Sequence, residues 1–369
     1  MNQHLEHMVT GKIPSYIKAV YISLLIIIII FFMIMAKKIL VPLLISGYIA
    51  MLMTPFCNRM ELGKIPRSLS AFIALVLFLV LISSVFFLIF IQFRGFMSDL
   101  EANAATDLND FVIRINTWIH DLCGLDAGLG NGLDVEKVVS LIQPGEEGSA
   151  KLLFVTIETF SIVLLLPVFI FFLLIYRDHL AMFVTKVFEK QRNKILLEHI
   201  VGIRLIVHAY IVGAGKVMLI LGVVNTIVLF TLGIEHAIFF GMVAGLLNII
   251  PYLGPMIGAI MPFLFALLTK DSLFYPIAVV VAFTVIQFLE GTYLTPKITG
   301  ANVKLNAFMT FLGLLIGGAI WGIVGMILII PTIAIVKRLF ELSPDTEPYA
   351  YLFGEEDSRW FVRRIFRKP

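Results

Sequence analysis

Charge is what this sequence has least of. Asp, Glu, Lys and Arg together make up 14% of its 369 residues, and apolar residues make up 60%. A soluble domain carries about a quarter charged and about half apolar residues. With a mean hydropathy of +0.99, the chain has too much apolar side chain for a water-surrounded fold, and the bilayer must be part of its solvent. Cysteine is nearly absent. Cys57 and Cys123 form no CxxC pair and no metal-ligand spacing, which excludes a disulfide framework and a thiolate zinc site. No Gly-rich loop leads into Lys-Ser/Thr, so ATP-driven pumping is not expected. Glu6-His7, Glu198-His199 and Glu235-His236 are isolated dipeptides rather than HExxH. No aspartate lies in any long apolar run, so a paired-Asp intramembrane protease is not expected. The sequence therefore predicts no enzyme and no cofactor. It also has no signal-peptide pattern. Polar Met1–Lys18 is followed by apolar Ala19–Ala36 and then Lys37-Lys38, without a small-residue cleavage site.

What is there is a series of apolar runs near the roughly 20 residues that a spanning helix needs. Six read as full spans: Ala19–Ala36, Ile39–Phe56 (broken by Pro42 and Gly47), Ser68–Phe93, Lys151–Tyr176, Ala209–Ile234 and Leu273–Leu294. Two more do not fit one straight helix. Ala237–Leu268 has no charge and would measure ~48 Å as a helix, against a core of about 30 Å. Its middle, Pro251-Tyr252-Leu253-Gly254-Pro255, breaks helices. Ala307–Lys337 is similar, with Gly313, Gly317, Gly318, Gly322, Gly325 and Pro331. Both are predicted to be re-entrant hairpins of short helices, whose bare backbone must be buried in protein or line a wet cavity. The expected fold is an all-α polytopic membrane protein of eight hydrophobic segments, six spans and two hairpins.

Two segments stand apart. Arg94–Ala150 carries ten acidic against three basic side chains. Within it Phe111, Ile115, Trp118, Ile119 and Leu122 follow a helical period, before a Gly-rich stretch at Gly124–Gly132. Arg177–His208 carries six basic against three acidic side chains and has the pattern of an amphipathic surface helix. The sequence thus divides into spans one to three (1–93), an acidic segment (94–150), span four with the basic helix (151–208), a core with two hairpins (209–340) and a basic tail (341–369). Lys and Arg mark cytoplasmic flanks. Lys12, Lys18, Arg59, Lys64, Arg67, the Arg177–His208 segment, Lys297, Lys304 and the tail all fall on one side of this topology; Lys37-Lys38 is the exception. The expectation is a cytoplasmic-membrane protein with both termini inside and the acidic segment outside.

That topology makes span five plus the first hairpin an inverted copy of span six plus the second. Gly245-Leu-Leu-Asn-Ile-Ile-Pro251 and Gly325-Met-Ile-Leu-Ile-Ile-Pro331 give it faint support. Inverted repeats with broken helices are common in secondary transporters.

Polar side chains inside spans are costly and usually face protein or water. The candidates for a transport pathway are Lys216, Asn225, Asn248, Gln287, Glu290 and Asn306, with Pro251, Tyr252, Gly254 and Pro255 at the first tip. Lys216 reads equally as a snorkelling side chain, and Glu290 equally as an interfacial one. Gly241/Gly245 and Gly318/Gly322 are explained by close helix packing alone. Lys216 and Glu290 lie at matching depths and are expected to pair, because a lone charge there is costly.

The string Asn248-Ile-Ile-Pro-Tyr-Leu-Gly-Pro-Met-Ile-Gly258 resembles the signature of the AI-2E (autoinducer-2 exporter) transporter family. The resemblance continues through Gln287-Phe-Leu-Glu290, Leu294-Thr-Pro-Lys-Ile-Thr-Gly300, Gly317-Gly-Ala-Ile-Trp-Gly-Ile-Val-Gly-Met326 and Ile330-Pro331. It implies a bacterial inner-membrane permease, with some members linked to export of the quorum-sensing molecule autoinducer-2 and others to sodium(lithium)/proton antiport. It also implies a homo-oligomer, a pentamer among the options. Two positions depart from the family pattern. Asn306-Ala307 stands where His-Pro is common, and Lys216 follows Gly215 where a neutral amide is common.

Three functions compete. A secondary transporter moving a small polar solute outward needs a neutral hydrogen-bonding site at the hairpin tips. A cation/proton antiporter needs a titrating residue, for which Glu290 is best placed. A membrane scaffold leaves the broken hairpins unexplained. The partners expected are the bilayer, a small polar solute or monovalent cation, and further copies of the chain, with no nucleic acid.

Overall fold

The computed structural model describes residues 15–123, 164–187, 193–298, 305–341 and 346–354. They are helical almost throughout: α1 (Ser15–Met35), α2 (Lys37–Leu62), α3 (Arg67–Cys123), α4 (Leu164–Ile175), α5 (Arg177–Val187), α6 (Asn193–Thr231), α7 (Ala237–Leu247), α8 (Leu253–Thr269), α9 (Phe274–Leu289), a π turn (Glu290–Leu294), α10 (Thr295–Ile298), α11 (Ala307–Trp321), α12 (Ile323–Phe340) and α13 (Glu347–Phe353). No strand occurs among the described residues. The apolar helices make this an all-α polytopic membrane protein. Five helices are long and apolar enough to cross a membrane, and a sixth if α4 and α5 count as one bent span.

Several boundaries differ from expectation. Pro42 and Pro55 both lie inside α2, which runs unbroken for 26 residues. The acidic segment does not begin as a separate unit either. α3 continues from the membrane run into it as one 57-residue helix, roughly 85 Å long. Its helical period persists through Cys123; Gly124–Gly132 and Lys151–Val163 lie outside the described residues. Span five begins well before Ala209, because α6 starts at Asn193 and absorbs half of the expected surface helix. The other half is α5, which leaves α4 at a 69° bend with Leu180, Met182 and Phe183 exposed.

Three apolar clusters hold the bundle. Ala50, Cys57, Ala71, Leu75, Ile170 and Leu174 join α2, α3 and α4. Tyr48, Val207 and Leu328 join α2, α6 and α12. The largest includes Leu229, Phe239, Phe240, Ala266, Val279 and Phe283, and joins α6 through α9. Between apolar faces a few polar contacts fix the register. The Tyr48 and Thr332 hydroxyls are 2.7 Å apart, Ser46 donates to the Leu166 carbonyl at 3.1 Å, and Trp321 Nε1 donates to the Met33 carbonyl at 3.0 Å.

At one end, Arg177 pairs with Glu61 at 2.6 Å and Arg67 with Asp178 at 2.9 Å. Some 32 residues further along α3, His236 Nε2 stands 3.2 Å from Asp99 Oδ2. There the Phe96 ring stacks on Phe239 and meets the His236 edge, centroids 5.2 and 5.6 Å apart. These contacts tie α3 to the start of α7.

Both expected hairpins are present as packed helix pairs, α7–α8 and α11–α12. The second departs from a re-entrant pair of short helices, since α12 alone is long enough to cross. The faint Gly-to-Pro repeat does not mark equivalent places. Gly245–Pro251 runs from α7 into a tip, whereas Gly325–Pro331 lies wholly within α12.

Candidate functional site

The first tip is shorter than its proline pattern predicts. Asn248 ends α7, and α8 already begins at Leu253, so Gly254 and Pro255 belong to the first turn of α8. Proline fits there because a first turn has unpaired amides in any case. The unusual backbone is at Tyr252, with φ +66° and ψ −50°, a conformation that L-residues adopt only when surroundings impose it. Gly254 serves contact instead of torsion. A Cβ there would lie 1.8 Å from the Leu247 carbonyl oxygen, so only glycine lets α8 start against the end of α7. The second tip is a single residue, Gly322, with φ +66° and ψ −145°.

The glycine pairs divide accordingly. A Cβ on Gly241 would fall 2.1 Å from Thr226 Oγ1, and one on Gly245 2.6 Å from Gly222 Cα, so both set the close approach of α7 to α6. Gly318 packs on Met326, but a Cβ on Gly322 would meet nothing within 4 Å. Gly322 is a turn residue, not a packing residue.

Two cavities flank the first tip. One, of about 360 Å³, is lined by Asn225, Ala244, Asn248, Pro255, Phe283, Thr284 and Gln287 among others. The second, of about 310 Å³, is lined by Tyr210, Asn248, Pro251, Tyr252, Pro255, Gln287, Glu290, Thr295 and Ile330 among others. Asn248, Pro255 and Gln287 line both, so the two cavities adjoin at these three residues. The Tyr252 ring meets Phe311 of α11 edge-on, centroids 6.0 Å apart, which brings the first tip against the second hairpin.

Of the residues singled out in the sequence, seven line these cavities: Asn225, Asn248, Pro251, Tyr252, Pro255, Gln287 and Glu290. Asn225 is 5% exposed, and its side-chain oxygen has no hydrogen-bond partner. A buried acceptor without a donor is costly, so this oxygen is available to a bound molecule. Gly254 is buried under the tip. Asn306 lines neither cavity. It caps α11, its Oδ1 accepting from the Phe308 amide at 2.9 Å, and its own amide donates to the Phe353 carbonyl at 2.9 Å.

The expected Lys216–Glu290 pair does not form. Lys216 is exposed, and no ion pair joins the two. Val217 and Leu221 are the buried face of this part of α6, and Lys216 sits about 100° around the helix from Val217, where a snorkelling reading suffices. Glu290, 9% exposed, is held by neutral donors instead. Gln287 Nε2 donates to Oε2 at 2.8 Å, and the Thr295 hydroxyl bonds Oε1. The π turn makes the second contact possible. Residues five apart lie about 140° apart around an α-helix, but a π turn closes i to i+5, and the Thr295 amide donates to the Glu290 carbonyl.

Thr295, Tyr210 and Thr284 were missed by the sequence reading. A tyrosine or threonine in an apolar run gives no charge signal, and Thr295 joins the site only through the π turn.

Comparison with known proteins gives one consistent picture. The family model described as "AI-2E family transporter" matches residues 22–345. The chain is 27% identical over 313 residues to "Putative transport protein YrrI" of Bacillus subtilis (strain 168), covering 82% of this chain and 85% of that protein. It is 24% identical over 328 residues to "AI-2 transport protein TqsA" of Escherichia coli (strain K12), covering 87% and 90% respectively.

Proposed function

We propose, from the premise that this chain belongs to the AI-2E transporter family, that it is a secondary transporter carrying a small polar solute outward through the two cavities beside the first hairpin tip. One observation carries the reading: two cavities adjoin at Asn248, Pro255 and Gln287, which line both. A solute path that opens to one side at a time needs two chambers and a movable neck. A tip of non-helical backbone supplies such a neck, as broken helices do in other transporters. The lining of the larger cavity is neutral, with the amides of Asn225, Asn248 and Gln287 and the hydroxyl of Thr284. That chemistry suits an uncharged hydrogen-bonding solute, and the AI-2 named for TqsA is the candidate that the comparison offers.

The orientation belongs to the same proposal. Arg67 and Arg177 gather at one end of the bundle. Cytoplasmic flanks are enriched in such residues. This favours cytoplasmic termini in an inner membrane, an outward-facing acidic segment and an inverted relation between the two helix-plus-hairpin units. Assembly into a homo-oligomer is part of the proposal as well.

The test is flux in liposomes with a panel of labelled polar metabolites, comparing wild type with Asn248→Leu and Gln287→Leu. Loss of flux in variants that still assemble supports the reading. Normal flux in both sinks it. Sodium-dependent proton movement with no metabolite flux would instead mark an antiporter.

A further inference from the structure

The α2–α3 turn and the bend between α4 and α5 meet around two arginines that are used very differently. Arg177 is engaged at both terminal nitrogens. Its Nη2 donates to Glu61 Oε2 at 2.6 Å and to Asn58 Oδ1 at 3.0 Å, and its Nη1 donates to the Leu174 carbonyl at 3.1 Å. Arg67 has donors to spare. Its Nη1 reaches Asp178 Oδ2 at 2.9 Å, while its Nε and Nη2 are turned away from water with no acceptor. Those two atoms form one edge of the guanidinium, the edge that can hold two oxygens of a phosphate at once. A buried donor left unpaired is costly, so this edge calls for an anion. The Asp178 contact does not lock the side chain. Asp178 is 69% exposed and Arg67 35%, and exposed ion pairs are weak, so a small turn of the long Arg67 side chain opens the edge.

The surroundings narrow the kind of anion. Arg59 and Lys64 are exposed at the same turn between two spanning helices, and the one acidic residue there, Glu61, is already taken by Arg177. α5 leaves α4 at 69°, which turns it from the spanning direction toward the plane of the membrane surface. Its first turn supplies Asp178. Just beyond, Leu180 and Phe183 are exposed, and their spacing of three puts them on one helical face. An apolar face beside basic residues at the membrane boundary fits acyl chains beneath a charged headgroup, and basic pockets between spanning helices suit anionic headgroups. We infer that Arg67, at this elbow, binds the phosphate of an anionic phospholipid. Arg59 and Lys64 attract the headgroup, and Leu180 and Phe183 rest against its acyl chains. The lipid takes Arg67 from Asp178 and joins the start of α3 to the face of α5. The site owes nothing to the two cavities and holds whatever they carry.

The test is native mass spectrometry and thermal unfolding of the purified, delipidated full chain with phosphatidylglycerol, phosphatidylcholine or inorganic phosphate added. Phosphatidylglycerol should bind and raise Tm. Phosphatidylcholine, whose phosphate is balanced by its own choline, should bind more weakly. Arg67→Gln should weaken phosphatidylglycerol binding about fivefold, the worth of one basic residue at an anionic surface. Arg67→Lys keeps the charge and loses the fork, so it should fall between Arg67→Gln and wild type. Asp178→Asn separates a lipid site from a structural ion pair. Removal of a competing carboxylate should tighten phosphatidylglycerol binding, whereas loss of a structural pair alone would lower Tm and leave lipid binding as it was. Leu180→Ser with Phe183→Ser should weaken lipid binding with Arg67 intact. Should Arg67→Gln fail to fold, Arg67→Lys and Asp178→Asn decide. Equal binding of the two lipids overturns the inference, as does a Tm shift that inorganic phosphate reproduces in full. So does phosphatidylglycerol binding unchanged in Arg67→Gln, or not tightened in Asp178→Asn.

Discussion

Gly317 of α11 and Gly325 of α12 face each other with no space for a side chain: a Cβ on Gly325 would lie 1.9 Å from the Gly317 carbonyl oxygen, and one on Gly317 2.7 Å from the Gly325 oxygen. Close backbone approach through small residues is how helices associate where lipid removes the hydrophobic drive. Gly317→Ala and Gly325→Ala should each destabilise the protein by at least about 1–3 kcal/mol, the usual cost of overpacking. Gly47→Ala, where a Cβ would meet nothing within 4 Å, should leave stability unchanged or slightly higher, since alanine is the better helix former. Thermal unfolding in detergent compares the three. Equal behaviour would show that the second hairpin does not depend on this contact.

The bond between Tyr48 and Thr332 spans α2 and α12. A double-mutant cycle with Tyr48→Phe and Thr332→Val should return a coupling of about 0.5–1.5 kcal/mol. Additive losses would mean that the two hydroxyls find other partners in the membrane.

Where α3 meets α7, packing and charge make opposite predictions. Asp99 is 62% exposed beside His236, and exposed ion pairs contribute about 0–1 kcal/mol. Phe96 lies among Phe239, Phe240, Phe265 and the His236 ring. Phe96→Ala should therefore cost about 2 kcal/mol or more, and Asp99→Asn well under half of that. The reverse order in unfolding measurements would make the ion pair the anchor.

The proposed orientation has its own measurement. Asn131→Cys, in a chain carrying Cys57→Ser and Cys123→Ser, should react with an impermeant thiol reagent in intact spheroplasts. Reaction only after lysis would reverse the topology.

Much of the fold is legible in the sequence because the bilayer imposes length and apolarity on every span. The break after Asn248 is legible because two prolines and a glycine crowd into five residues. The polar lining is legible because Asn225, Asn248 and Gln287 are rare in such surroundings. What stays hidden is angular. A reading at 3.6 residues per turn puts Thr295 on the far side from Glu290, and only the π turn brings them together. The same kind of error paired Lys216 with Glu290, since matching depth says nothing about direction around α6. Gly322 reads as one more small residue in a stripe, although its positive φ makes the whole second turn. The acidic segment reads as a separate unit because its composition changes, yet the helix of α3 does not stop where composition does.

That continuity makes α3 a lever. Its fulcrum is the aromatic clamp at Phe96 and His236, the residue just before the first hairpin begins. From Asp99 the helix extends a further 24 residues to Cys123, an arm of roughly 36 Å. A straight helix transmits torque better than a jointed linker does. Any load on the far end of α3 would act as a moment on the start of α7 and reach Asn248 eleven helical residues later.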